Sequence, residues 1–439
     1  MFFQKGICIF ILAIVAVSIG CFQPTGSDPV AATVQIVQQN GKWTLLRNGE
    51  PYYIKGIGGN TRLDEAAALG ANSLRTWGSE HAASDLDNAQ ANDLTVMLGV
   101  WLSHDASHYN DERYKNEKRA EVQNLLDTYK DHPALLLWSL GNEINQSVGT
   151  TESWEFVNEL ARMIRDEDPN HPISTVISGP SVSDINQIVQ HAPLIDILGV
   201  NSYGGIGGAR MNIDNSDWEG AYIVSEWGPQ GHWEVNNTSW GRPIEQTSDE
   251  KATVYKNRYE MHIAGNKDRC IGSYVFLWGQ KQERTPTWYG LFIENKPELG
   301  FNGEKLPTYD VMSYLWSGDW PGNRAPVVTA ITLNNLAPTS NVELAPDTKY
   351  EAALTAEKTN GEPLSFRWEL LIEPTRLGSG GSFEPRPNRI GDVIESSAAT
   401  IDIRTPSDPG EYRLFGYAFD SNGKVGTANI PFRIITNSE

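Results

Sequence analysis

Eight short apolar runs, separated by longer polar stretches, constrain this chain more than any other feature. They fall at 53–57, 72–77, 94–102, 134–140, 172–178, 194–200, 221–227 and 271–278. Runs of this length with few polar breaks suit strands buried on both faces, as in a parallel sheet. The stretches between them read as helices. At 112–129 the segment is long and polar. At 152–165, Trp154, Val157, Leu160, Ala161 and Ile164 recur at helical spacing. Thr61 is expected to cap the helix carrying Leu63 and Leu69. A last helix is expected at 308–316. Eight alternating strands and helices predict a (β/α)8 TIM barrel.

Two of the runs end in a carboxylate. Ala134 to Leu140 is apolar apart from Ser139, and Gly141-Asn142-Glu143 follows at once. Ala221-Tyr-Ile-Val-Ser-Glu226-Trp227 ends the same way. A barrel places its chemistry at the C-terminal ends of its strands. A lone glutamate there is equally a solvated strand end. Two of them, on separate strands, are what glycoside hydrolysis uses, one as general acid and one as nucleophile. An adjacent Trp227 offers an apolar wall or a stacking face.

The two stretches also resemble a known group. Trp138-Ser-Leu-Gly-Asn-Glu143 is similar to the fourth-strand motif of clan A glycoside hydrolases, and Ser225-Glu226-Trp227-Gly228 to their seventh-strand motif. Within the clan the barrel resembles the catalytic domain of family 2, over roughly residues 50 to 316. The resemblance implies that Glu143 is the acid/base and Glu226 the nucleophile. It implies that Asn142 bonds the substrate 2-hydroxyl and that Tyr203, in Val200-Asn-Ser-Tyr, orients the nucleophile. It places Arg75 beside Glu226 and Trp278 as a floor under the sugar. Trp227 and His104 are further candidates for substrate contact, and Trp233, Trp240, Trp288 and Tyr289 for subsite walls. The sequence also departs from family 2. The leading β-domains usual there have no room between Cys21 and the first strand. Arg75 is followed by Thr-Trp-Gly rather than His-x-Pro. An open cleft is therefore expected, and the family's substrate choices are not carried over.

The rest of the chain divides around the barrel. Residues 1–20 read as a secretory signal, with Lys5 ahead of an apolar core at 7–17. Ser18-Ile-Gly-Cys21 resembles a bacterial lipoprotein processing site. Residues 21–34 then form a lipidated N-terminus and tether, and the protein is expected to be exported and anchored in the outer membrane, or at the cell surface or periplasm, through Cys21. Asn40-Gly41 signals a hairpin that closes the barrel bottom. The barrel spans 35–318, a linker 319–326, and a C-terminal module 327–439. That module shows short strand runs without helical periodicity, as in an immunoglobulin-like β-sandwich. Its segments 408–412 and 418–423 resemble bacterial polycystic-kidney-type modules. A barrel ending near Gly318 is expected to fold alone.

Composition narrows the partners. Asp and Glu number 55 against 35 Lys and Arg, a formal charge of −20. That argues against nucleic acid, whose phosphates call for a basic face. Three Cys, two of them at or before position 21, give no disulfide framework and no metal-ligand spacing. No cofactor is expected. The expected activity is retaining hydrolysis of a polysaccharide, foremost a β-glucan, by two glutamates. The alternatives are a β-glucanosyltransferase using the same residues and a non-catalytic glycan-binding surface lipoprotein.

Overall fold

The computed structural model describes residues 32–378, 382–392 and 394–435. The signal segment and Cys21 lie outside the described residues. The chain enters through a ribbon, Val34–Gln39 paired antiparallel with Lys42–Arg47. Its two-residue turn holds Asn40 at φ 52° and Gly41 at φ 76°. Both angles are positive, as a primed hairpin turn requires. The ribbon lies under the barrel. Val34 N donates to Asn170 O and Trp43 N to Asp268 O, just before the fifth and eighth barrel strands. Val34 and Leu45 pack on Ile54, Ile197 and Ala221, which begin three strands.

Eight parallel strands close a barrel. In order they are Ile54–Gly58, Ser73–Arg75, Thr95–Val100, Leu135–Asn142, Ile173–Ser178, Ile197–Asn201, Ala221–Trp227 and Cys270–Val275. Strand burial on both faces explains their unbroken apolar character. The outer helices bury one stripe each. In Thr151–Glu167 the buried set includes all five residues at helical spacing, Trp154, Val157, Leu160, Ala161 and Ile164. Thr150 caps that helix by accepting from Ser153 N. Thr61 caps nothing. The helix Leu63–Ala68 starts after Arg62, which is left-handed and makes no side-chain cap. The Thr61 carbonyl instead accepts from Trp278 Nε1.

Between the eighth strand and the closing helix Pro307–Ser317 lies a hairpin, Gln280–Glu283 with Thr285–Gly290. Beyond Val327 two sheets face each other, one of three strands and one of five. Tyr412 Oη donates to Asp408 O, four residues back, a corner typical of immunoglobulin-like sandwiches. The sandwich packs on the barrel through buried charges. Lys424 bonds Asp310 of the closing helix. Arg386 bridges Glu294 of the barrel and Glu369 of the sandwich. Asn429 Nδ2 donates to Glu245, and Arg413 Nη2 to Pro243 O.

Candidate active site

Both glutamates sit where a strand breaks register. Between the fourth and fifth strands the pairing shifts from Ser139 to Asn142. There Gly141 takes φ 76° and Glu143 φ 56°. A positive φ is uncommon for a glutamate, and bulges of this kind re-aim side chains next to active sites. Glu143 N still donates to Val176 O, so the turned residue stays tied to the barrel. On the seventh strand a second shift lies between Val224 and Glu226. Each bulge ends by pointing its glutamate into one cavity of about 670 Å³ at the C-terminal mouth.

Four donors converge on Glu226. Arg75 Nη1, Trp77 Nε1 and Asn201 Nδ2 reach Oε2 at 3.3, 3.2 and 3.2 Å, and Tyr203 Oη reaches Oε1 at 2.8 Å. Arg75 is itself buried. Its two terminal nitrogens also donate to Ser225 O, Asn201 Oδ1 and Asn142 Oδ1. Burial lowers its pKa, and the Glu226 and Glu143 charges oppose that. Burial raises the Tyr203 pKa, so its hydroxyl stays a donor.

Asn201 links the two carboxylates. Its Oδ1 accepts from Arg75 and from Ser225 Oγ, which fixes the amide orientation. Its Nδ2 then lies 2.8 Å from Glu143 Oε1 and 3.2 Å from Glu226 Oε2. The two oxygens can be no further apart than these distances laid end to end. That is short of the roughly 6.5–9.5 Å of an inverting pair. The environments of the two glutamates differ. Burial first, and then the Glu226 charge, push the Glu143 pKa up to about 7. Gln146 Nε2 also contacts it, at 3.1 Å to Oε2.

Of the remaining candidates, Asn142, Tyr203, Trp233 and Tyr289 line the cavity. Asn142 presents its oxygen to Arg75 and Asn201, which leaves its amide nitrogen for the cavity. Arg75 and His104 stand behind the wall. His104 Nε2 lies 2.7 Å from Asn142 O, and its ring stacks on Trp101. It supports the end of the fourth strand, behind the cavity-lining Trp101. Trp227 and Trp278 are corrections. Trp227 follows Glu226 on a strand whose side chains alternate, so it points outward onto Tyr255 and Tyr259. Trp278 is 1% exposed and packs on Phe292, Tyr309 and Trp316. The eighth strand ends at Val275, and Phe276 and Leu277 form the floor expected of Trp278. Trp288 is buried with Nε1 donating to Gln230 O, and Trp240 lies under Arg433. Sequence reasoning missed Trp77, Trp101 and Asn201, all at strand ends. It also missed Lys281 and Glu283 of the hairpin. Position at a strand end was the available signal for the first three.

A model of the family described as "Glycosyl hydrolases family 2, TIM barrel domain" matches residues 64–215, a span that holds Glu143 and stops short of Glu226. A curated β-glucuronidase from Paenibacillus borealis is 28% identical over 185 residues, covering 36% of this chain and 30% of its own. Among solved structures, a calcium-binding mutant of Bacteroides uniformis β-glucuronidase 2 superposes with TM-score 0.50 at 15% identity. It covers 92% of this chain and 48% of its own. The Ruminococcus gnavus β-glucuronidase complexed with D-glucuronic acid gives TM-score 0.50 at 16% identity, covering 65% and 52%. The chain thus spans about a third to a half of the length of these relatives, and the likeness to the solved structures concerns the fold alone. The family match and the curated relative make the barrel similar to the catalytic domain of glycoside hydrolase family 2, a clan A family, and the paired strand-end glutamates stand where that likeness places them.

Proposed function

We propose that the protein hydrolyses a β-linked polysaccharide with retention, Glu226 acting as nucleophile and Glu143 as acid/base. The observation that carries this is the Asn201 amide in contact with both carboxylates, which draws their nearest oxygens closer than an inverting pair would stand and so favours the retaining arrangement. Roles follow from surroundings. Four donors fix Glu226 in place, which suits a nucleophile for an anomeric carbon. Glu143 keeps its proton near neutrality, as a general acid must, and can later take one from water. Asn142 offers its amide nitrogen to the sugar 2-hydroxyl, where a hydrogen bond strengthens in the transition state.

The cavity favours a neutral glycan. Its charged liners are Glu143, Glu226, Glu234 and Glu283 against Lys281, with His232 beside them. Lys281 is already 2.6 Å from Glu283. The glucuronides implied by the relatives' names would bring a further negative charge to this wall. Trp77, Trp101, Trp233 and Phe276 offer faces for neutral sugar rings. A β-glucan is the substrate we favour. The signal at residues 1–20 and lipidation at Cys21 would place this activity at a bacterial cell surface.

The test is product analysis on a panel of β-glucans, mannans and glucuronides, with the first-formed anomer read by NMR. A β-glucan is expected to be cleaved with retention. Glu226→Ala should lose nearly all turnover, and azide should restore part of it as the α-glycosyl azide. First-formed α product, or wild-type turnover in Glu226→Ala, would reject the mechanism.

A further inference from the structure

The wall of the cavity opposite the strand ends is not made by the barrel alone. The hairpin Gln280–Gly290 supplies Lys281, Glu283 and Tyr289 to it. A two-stranded hairpin is marginally stable by itself, so its position depends on what it is docked against. Its second strand is held from the barrel side. Thr285 and Thr287 hydroxyls donate to Glu245, and Trp288 Nε1 donates to Gln230 O. Its tip is held from the sandwich. Glu384 Oε1 accepts from Arg284 N at 2.8 Å and from Gln282 Nε2 at 3.1 Å. Glu384 Oε2 lies 3.3 Å from Arg284 Nη1 and 3.0 Å from Gly378 N. Arg284 Nη1 also reaches Gly378 O. Arg284 occupies the turn at φ 63°.

Glu384 is 3% exposed and about a hundred residues beyond the hairpin it grips. Burying a carboxylate is costly unless every lone pair is met. Here three of its four contacts come from the hairpin tip and the fourth from its own loop. The carboxylate therefore locks two separate segments into one position. Lys281 and Glu283 flank the gripped Gln282.

We propose that Glu384 of the sandwich is a positioning residue for substrate binding, which fixes the hairpin tip and so holds the Lys281–Glu283 wall against the glycan. The inference rests on the glycosidase reading for its substrate. The C-terminal module is then part of the binding apparatus.

The experiment compares the full chain with Glu384→Gln and Arg284→Gln. Gln keeps the size of Glu384 but loses its charge and half its acceptor capacity. With a soluble oligosaccharide of the glycan that the panel shows to be cleaved, KM should rise about tenfold while kcat stays within about twofold. The double variant should be no worse than Glu384→Gln alone, because the Arg284 Nη1 contact is one of those that Glu384→Gln already weakens. The alkaline limb of the rate profile should move up, since retreat of the Lys281 ammonium lets Glu143 keep its proton to higher pH. Amide exchange should quicken across 280–290 and stay unchanged in the barrel strands. Unchanged KM and exchange at an unchanged melting temperature would overturn the proposal. So would a fall in kcat and melting temperature at constant KM, the mark of a merely structural group. A wild-type chain inactive on every panel substrate would reject the glycosidase reading instead, and the exchange measurement would still decide whether Glu384 holds the hairpin.

Discussion

At the scale of single residues, Glu143 carries a stability cost along with its chemistry. Its pKa is raised from the ordinary 4.5 to about 7 by burial and by the Glu226 charge. Between those values the folded chain binds a proton that the unfolded chain has released. The protonated carboxyl therefore favours the folded state at low pH, and this advantage is lost as pH rises through about 7. Above it, the buried charge costs up to ~3 kcal/mol. Glu143→Gln should melt higher than the wild type at pH 8, with the difference gone near pH 4, as differential scanning calorimetry can check. The same variant should cleave glucans some 10² to 10⁴ times more slowly. It should still release dinitrophenol in a burst from an activated glycoside, and its profile should lack the alkaline limb. The motif Asn-Glu made Glu143 legible in the sequence. Its partner Asn201 was not, because three acceptors meet one nitrogen only once the fourth, sixth and seventh strands are brought together by barrel closure.

At the scale of elements, the apolar runs located all eight strands, because burial on both faces leaves a contiguous mark. What the runs could not show is register. The bulges at Gly141 and Ser225 exist only relative to neighbouring strands. They decide which side chain meets the cavity. The same blindness misplaced Trp278, since the eighth run continues past the point where the strand ends and the chain turns. The hairpin after it was missed because Gln280 to Glu283 is wholly polar. Gly141 offers a direct test. An added Cβ there meets nothing nearer than Leu102 Cδ1 at 3.4 Å, so there is space for it. The φ of 76° is the obstacle, at about 1–2 kcal/mol for an L side chain. Gly141→Ala should fold with a melting temperature lowered by a few degrees. Its kcat should fall more than its KM rises, because the re-aimed group is Glu143.

At the scale of the whole molecule, the sequence marked a second module clearly through its turns and short strands. It gave no sign of the charges buried between module and barrel, since each ion pair joins residues far apart in the chain. Those charges argue against a barrel ending near Gly318 folding alone. Truncation would leave Asp310 and Glu294 without Lys424 and Arg386, and would take the Asn429 amide from Glu245, which keeps Lys251. Removing one side of a buried pair typically costs about 3–5 kcal/mol. The truncated chain should be recovered as aggregate, and the full chain should show one cooperative melting transition. A soluble, active barrel alone would contradict this. The bonds described between module and barrel also fall unevenly. They land on Pro243 and Glu245, on Arg284 and Glu294, and on Asp310, all following the seventh strand. The barrel thus has a braced half, bordering Glu226, and an unbraced half that carries Glu143. Any breathing of the unbraced half then alters the gap between the two carboxylates, instead of moving them as a pair.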